Sequence, residues 1–237
     1  MIKNVIFDIG NVLLNYDPYS DLLRLGYDRK QAERLMKAIF EDPVWLEIDR
    51  GTYTRAEALD LFAAANPDLA EDARWVFDDA WYGRVLTPKD GTAKDGAASE
   101  FRRPMDDSVS FFKRLKAEGY QLYLLSNFSK EGFEKIWQWY DFLHEAEGMI
   151  ISSHVGLVKP EPAIYQSLLD RYGLNAEECV FFDDTRRNAE AAEKMGIHGI
   201  WFHDAEQAER EFRELTGLRH DKSVGHDALG APNIPKG

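Results

Sequence analysis

Cysteine is almost absent. Cys179 is the only one in 237 residues, which excludes an internal disulfide and a cysteine-built zinc cage. It lies in the apolar run Cys179-Val180-Phe181-Phe182, where a buried core thiol is expected. No apolar run approaches the ~20 residues a helix needs to span a bilayer. An apolar strand begins almost at Met1, without the basic, apolar and cleavage segments of a secretory leader, so the cytoplasm is the expected location. Basic charge is in deficit, with 42 acidic against 29 basic residues and a net charge of −13. That field repels nucleic acid and anionic lipid, so neither is expected as a partner, while a local basic pocket can still hold a small anion. Glycine-rich nucleotide loops of the Gly-Lys-Ser/Thr or Gly-x-Gly-x-x-Gly kind are missing. The six histidines (His144, His154, His198, His203, His220 and His226) show no paired metal-ligand spacing.

What is present describes an ordinary globular chain, 44% hydrophobic and 30% charged. It is long enough for one α/β domain and a small accessory unit. Residues 2–8 alternate poorly and read as a fully buried parallel strand. Residues 18–82 change character and read as helical. Capping boxes are expected at Asp28-Arg29-Lys30-Gln31 and Thr54-Arg55-Ala56-Glu57, and a further helix over Asp68 to Tyr82. Residues 87–103 lack apolar periodicity and carry Asp-Gly turn signals, so they read as a loop. From Pro104 strands and helices alternate. Strands are expected over Tyr120–Leu125, Met149–Ile151, Cys179–Phe182 and Gly199–Phe202. Helices are expected through Val109, Phe112 and Leu115, through Trp137, Trp139 and Phe142, from Pro162 to Gly173, and up to Gly196. This alternation implies an α/β fold, a doubly wound parallel sheet with an inserted helical unit.

Three strand ends carry polar side chains. Asp8 follows Val5-Ile6-Phe7, Ser126-Asn127 follow Leu124-Leu125, and Asp183-Asp184 follow Phe181-Phe182, with Asn188 four positions beyond Asp184. The C-terminal ends of parallel strands are where such sheets place reacting groups. Asp8 is a solvated strand-end acid or a nucleophile that takes a phosphoryl group. The acid pair caps the next helix or holds Mg²⁺, a cation that needs only one or two carboxylates beside phosphate and water. Ser126 and Asn127 form a turn or hold phosphate oxygens before a helix starting near Ser129. Lys159, before Pro160, is a surface lysine or a counter-charge. Trp45, Trp75, Trp81, Tyr16, Tyr19 and Tyr53 read as packing within the helical insert rather than as sugar-stacking platforms. Glu47, Asp49 and Arg50 form a polar cluster beside Trp45 that either is solvated or sets substrate preference.

In order and spacing, Asp8, Ser126-Asn127, Lys159 and Asp183-Asp184 resemble the haloacid dehalogenase superfamily over about residues 2–217. The stretch Asp8-Ile9-Gly10-Asn11-Val12 resembles the branch that contains bacterial glucose-1-phosphate phosphatases. The resemblance implies a Rossmann-like core over residues 1–16 and 104–217, a helical cap over 17–87, a loop insertion over 88–103 and a tail over 218–237. It implies a Mg²⁺-dependent phosphatase of a small phosphorylated metabolite, a sugar phosphate by preference, in a monomer or homodimer. Asp8 would be the nucleophile. Asp8, the Gly10 carbonyl and Asp184 would hold the metal, Asp183 and Asn188 would support it, and Ser126, Asn127 and Lys159 would bind phosphate. Gly10 departs from the pattern, because many relatives carry an acid/base aspartate there. Two other readings follow from the same resemblance: a 2-haloacid dehalogenase, which needs neither Mg²⁺ nor the acid pair, and a catalytically weak binding or regulatory protein.

Overall fold

The computed structural model describes residues 1–77 and 104–217. The expected helix residues 78–82 with Trp81, the loop 88–103 and the tail 218–237 with His220 and His226 lie outside them. Five short strands, β1 (Asn4–Phe7), β2 (Gln121–Ser126), β3 (Gly148–Ile151), β4 (Cys179–Asp183) and β5 (His198–Trp201), form one sheet in the order β3-β2-β1-β4-β5. All neighbours are parallel. The strand bounds shift by a residue or two from the expected ones, which places Ser126 and Asp183 inside their strands rather than after them.

Side chains alternate across the sheet, so each strand feeds two cores. Val5, Phe7, Leu122, Leu124, Val180 and Phe182 pack on one face with Phe111, Phe112 and Leu115 of α6 (Asp106–Ala117) and Phe212 of α11 (Ala205–Thr216). Ile6, Tyr123, Leu125 and Phe181 pack on the other with Ile164, Tyr165 and Leu168 of α9 (Pro162–Tyr172) and Ala192 of α10 (Arg186–Lys194). Burial on both faces explains why these strands read as continuous apolar runs. The chain winds from β1 outward through β2 to β3, then returns to the other side of β1 as β4. The switch point therefore lies beside β1, and its carboxyl end is where a ligand crevice is expected.

Among the described residues up to 77, five α-helices follow β1: α1 (Pro18–Arg24), α2 (Arg29–Leu35), α3 (Pro43–Arg50), α4 (Arg55–Ala65) and α5 (Ala70–Phe77). They have an apolar core of their own, with Leu22, Leu35, Ile39, Ile48, Ala58 and Phe62 buried. Both capping boxes form: Asp28 with Gln31, and Thr54 with Glu57, each side chain bonding the other's backbone N–H. Two features differ from the sequence reading. Met36–Phe40 forms a π-helical turn, and a 3₁₀ turn over Pro67–Leu69 precedes α5. In the core, Tyr140 ends α7 (Lys130–Trp139), so Phe142 falls in a separate 3₁₀ turn. The ends of the inserted segment meet: Leu14 bridges Pro104 antiparallel, and the Met105 N–H donates to the Leu13 carbonyl at 2.9 Å. No helix among the described residues is long and apolar enough to cross a membrane.

Candidate active site

Sheet register decides the site. Phe7 pairs with Leu124 on one side and Phe182 on the other, and the Asp8 N–H extends the ladder to the Phe182 carbonyl at 2.9 Å. Asp8, Ser126 and Asp183 therefore emerge at one edge of three adjacent strands. Asp8, Gly10, Ser126, Asn127 and Asp184 line one cavity of about 300 Å³, with Thr185 beside them and Tyr16, Trp45 and Asp49 facing them from the helical insert. Lys159 lies beneath, its side chain 1% exposed, with Nζ 2.8 Å from Asp8 Oδ1 and 2.6 Å from Asp183 Oδ2. Asp8, Gly10, Ser126, Asn127, Lys159 and Asp184 are thus brought together.

The charges do not balance. Asp8, Asp183 and Asp184 each offer an oxygen within 4.8 Å of the others, against the one ammonium of Lys159. Burial, partly offset by Lys159 and reinforced by Asp183 and Asp184, pushes the Asp8 carboxyl up to about 7. Burial also raises Asp184, against a hydrogen bond from Asn11. Burial alone would lower the Lys159 ammonium, but Asp183 and Asp8 together hold it well above the ordinary lysine range. Three clustered carboxylates with one lysine suit a hard divalent cation bound through oxygen.

The two adjacent acids have different surroundings. Asp183 is fully buried and saturated: beyond Lys159 it accepts the Thr185 N–H at 2.8 Å and Asn188 Nδ2 at 3.0 and 3.2 Å. These bonds tie it to the start of α10, but the N-cap there is Thr185, without a side-chain cap, so neither acid is the helix cap that the sequence allowed. Asp184 faces the cavity. Asn11 Nδ2 donates to its Oδ2 at 3.1 Å, and the Trp201 indole N–H donates to its carbonyl at 2.9 Å.

In the turn after Asp8 the left-handed residue is Asn11 (φ 52°), and Gly10 is not among the positive-φ glycines. Asparagine tolerates that region better than most residues. There its side chain links the Tyr16 N–H (2.8 Å) to Asp184. Asn127 is also differently engaged: its amide donates to the Lys159 carbonyl at 3.0 Å and accepts the Lys159 N–H at 2.8 Å, which fixes the lysine. Its main chain lies in the segment Ser126–Ser129 leading into α7, which Ser129 precedes without a side-chain cap.

The insert is joined to the core at this point. Ser152 Oγ, on the short helix α8 (Ser152–Val155), accepts the Phe128 N–H at 2.8 Å and donates to the Asp49 carbonyl. Arg50 pairs bidentately with Glu161 at 3.0 and 2.7 Å and also bonds Glu47 at 3.2 Å. Gly51 (φ 85°) sits so close that a Cβ would stand 2.9 Å from the Ser153 carbonyl. Glu47 and Arg50 are therefore seam residues, while Asp49 faces the cavity. Tyr16 and Trp45, expected only to pack within the insert, both pack there and line the cavity. Cys179 is buried as expected, and burial pushes its thiol up to about 11.

Asn11, Ser152 and Trp201 were not assigned by sequence, and Asp49 was read only as part of a polar cluster that is solvated or sets substrate preference. Asn11 had a readable signal in its place after Gly10; Ser152 and Trp201 depend on how distant segments dock.

The family model described as haloacid dehalogenase-like hydrolase matches residues 2–196. The chain is similar to drimenol cyclase drtB of Aspergillus calidoustus, 23% identical over 99% of this chain but only 40% of the cyclase. It is also similar to the sesquiterpene phosphatase astK of Aspergillus oryzae, 23% identical over 91% of this chain and 97% of that one. A solved haloacid dehalogenase family enzyme of Bacteroides thetaiotaomicron, in complex with magnesium and inorganic phosphate, shares the fold with a TM-score of 0.62. It is 21% identical, over 88% of this chain and 99% of that one.

Proposed function

Since this chain belongs to the haloacid dehalogenase-like hydrolases, we propose that it is a Mg²⁺-dependent phosphatase of a small phosphorylated metabolite, a sugar phosphate by preference. The observation that carries this reading is the set of three strand-end carboxylates within 4.8 Å of one another over the buried Lys159. A dehalogenase has no need of Asp183 and Asp184. The same Asp8-Ile9-Gly10-Asn11-Val12 stretch supports the finer reading of a glucose-1-phosphate phosphatase relative, and the cavity of about 300 Å³ suits a small substrate. In this reading residues 1–16 and 104–217 are the catalytic core, and 17–87 are the cap over it.

Asp8 attacks phosphorus, the bond to the leaving oxygen breaks, and an aspartyl-phosphate forms on Asp8. Water then attacks that phosphorus and returns the Asp8 carboxylate. Asp8, the Gly10 carbonyl and Asp184 would hold Mg²⁺, which when bound supplies positive charge next to the phosphoryl oxygens. Lys159 neutralises charge on Asp8 and on the arriving phosphoryl group. Ser126 and the main chain of Asn127 orient the phosphoryl oxygens, aided by the N–H groups that open α7. Asn127 keeps Lys159 aimed at Asp8.

The direct test is phosphate release from a panel of phosphomonoesters, with Mg²⁺ and with chelator. Release that depends on Mg²⁺ is expected; release unaffected by chelator, or none from any ester, would reject the proposal. The acid pair gives a second test. Asp184→Ala should abolish Mg²⁺ binding in a calorimetric titration while the fold survives. Asp183→Ala should instead lower thermal stability, because it takes the acceptor from the Thr185 N–H and the Asn188 amide at the start of α10. Unchanged Mg²⁺ affinity in Asp184→Ala would reject that residue as a ligand.

A further inference from the structure

Gly10 leaves the core without the acid that would protonate a leaving oxygen. Protonation matters most when the leaving group is an alkoxide, as in a sugar phosphate. Among the described residues, the ionisable ones lining the cavity besides Asp8 and Asp184 are Asp49, from the insert, and Tyr16. Asp17, near in sequence, is occupied as the N-cap of α1, where its carboxylate accepts the Ser20 N–H at 3.0 Å.

We propose that Asp49 is the acid that the core lacks, a proposal that rests on the phosphatase reading above. Trp45 and Asp49 stand four residues apart on α3 and share a helix face. Both line the cavity, while Ile48 turns into the insert's core. The backbone at Asp49 is anchored on both sides. Ser152 Oγ ties its carbonyl to the phosphate-side loop at Phe128, and the next residue, Arg50, is clamped on Glu161. An acid on a loosely solvated helix end would have no such fixation over the reacting edge of the sheet.

The step balances as follows. As Asp8 Oδ forms its bond to phosphorus, the electron pair of the breaking P–O bond goes to the leaving oxygen. The Asp49 carboxyl proton passes to that oxygen, and the alcohol departs. The Asp49 carboxylate then takes a proton from the water that attacks the aspartyl-phosphate. Asp8 leaves with the electron pair of its P–O bond, phosphate is released, and Asp49 is again protonated.

The test uses kcat/KM, which reports events through the first P–O cleavage, for alkyl and sugar phosphates against 4-nitrophenyl phosphate. Asp49→Asn should lower kcat/KM by ~10²-fold or more for the alkyl and sugar esters, and by far less for the aryl ester, whose leaving group needs little protonation. Because Gly10 does not have positive φ, Gly10→Asp is a usable second change. It should restore most of the alkyl rate in the Asp49→Asn protein. Equal losses on alkyl and aryl esters would overturn the proposal. So would a loss confined to sugar phosphates with plain alkyl esters spared, which would make Asp49 a ligand for substrate hydroxyls. If the unaltered protein hydrolyses no phosphomonoester, the parent reading falls and this one with it; if it does, the Asp49 result stands alone.

Discussion

Asp8→Asn is expected to abolish phosphate release and, in the same protein without metal, to raise thermal stability above pH 7. The first effect follows from loss of the nucleophile with its shape retained. The second follows from the crowding of acids. An unfolded chain releases the Asp8 proton near the ordinary value of 3.8, whereas the folded site retains it up to about 7. The metal-free fold therefore weakens as pH rises from about 4 to about 7, and above that the full cost is present. Asparagine carries no proton to lose, and its Oδ1 can still take the Ile9 N–H that Asp8 accepts at 2.7 Å. A displacement of this size is worth at most ~4 kcal/mol. Allowing for relaxation of the site, Tm at pH 8 should rise by about 4–8 °C. At pH 4 the gain should vanish. Saturating Mg²⁺ should narrow the difference by stabilising the unaltered protein. More than a few per cent residual turnover would reject covalent catalysis by Asp8, and a Tm unchanged at pH 8 would reject the charge imbalance.

Lys159→Met should move stability the other way. It leaves three buried or half-buried carboxylates without their cation, and breaking a buried pair in this manner typically costs ~3–5 kcal/mol. A Tm lower by roughly 10 °C is expected at pH 8.5, with activity lost as well. The loss should shrink at pH 5, below the value of about 7 to which burial raises the Asp8 carboxyl in the folded site. Thermal denaturation at the two pH values separates charge from packing. The Lys159 side chain also lies over the Phe181 ring, its Nζ 5.4 Å from the centroid, and an equal loss at both pH values would mean that this contact is what matters.

The sequence made the sheet readable because its strands are covered on both faces. Runs such as Val5-Ile6-Phe7 and Val180-Phe181-Phe182 are then apolar without interruption, and the polar residues that end them stand out. The same contrast made Asp8, Ser126, Asp183 and Asp184 visible as candidates. Lys159 was visible only through its place in a family-like series, since nothing local distinguishes a lysine buried against two acids from one in water. A difference between Asp183 and Asp184 was implied only by the family resemblance; the saturation of Asp183 by Thr185, Asn188 and Lys159 depends on the β4–α10 turn. The seam between insert and core was opaque. Arg50 and Glu161 are 111 positions apart, and Ser152 reaches Asp49 across 103. No periodicity or capping rule acts at that range. The π-helical turn at Met36–Phe40 was missed for a related reason: it continues α2 without a break, so the residues keep a helical pattern.

The bridge between Leu14 and Pro104 makes the helical insert resemble a fitting with a single socket. Chain leaves and re-enters the core at neighbouring points, joined by the Met105–Leu13 hydrogen bond. An exchange of everything between those points would cut no strand of the sheet and break none of its register. Selectivity is therefore open to change by cassette replacement, with Asp8, Lys159 and Asp184 left on an unaltered chassis. The constraint on any replacement is narrow: it must bring its own acid over the strand ends and a partner for Glu161.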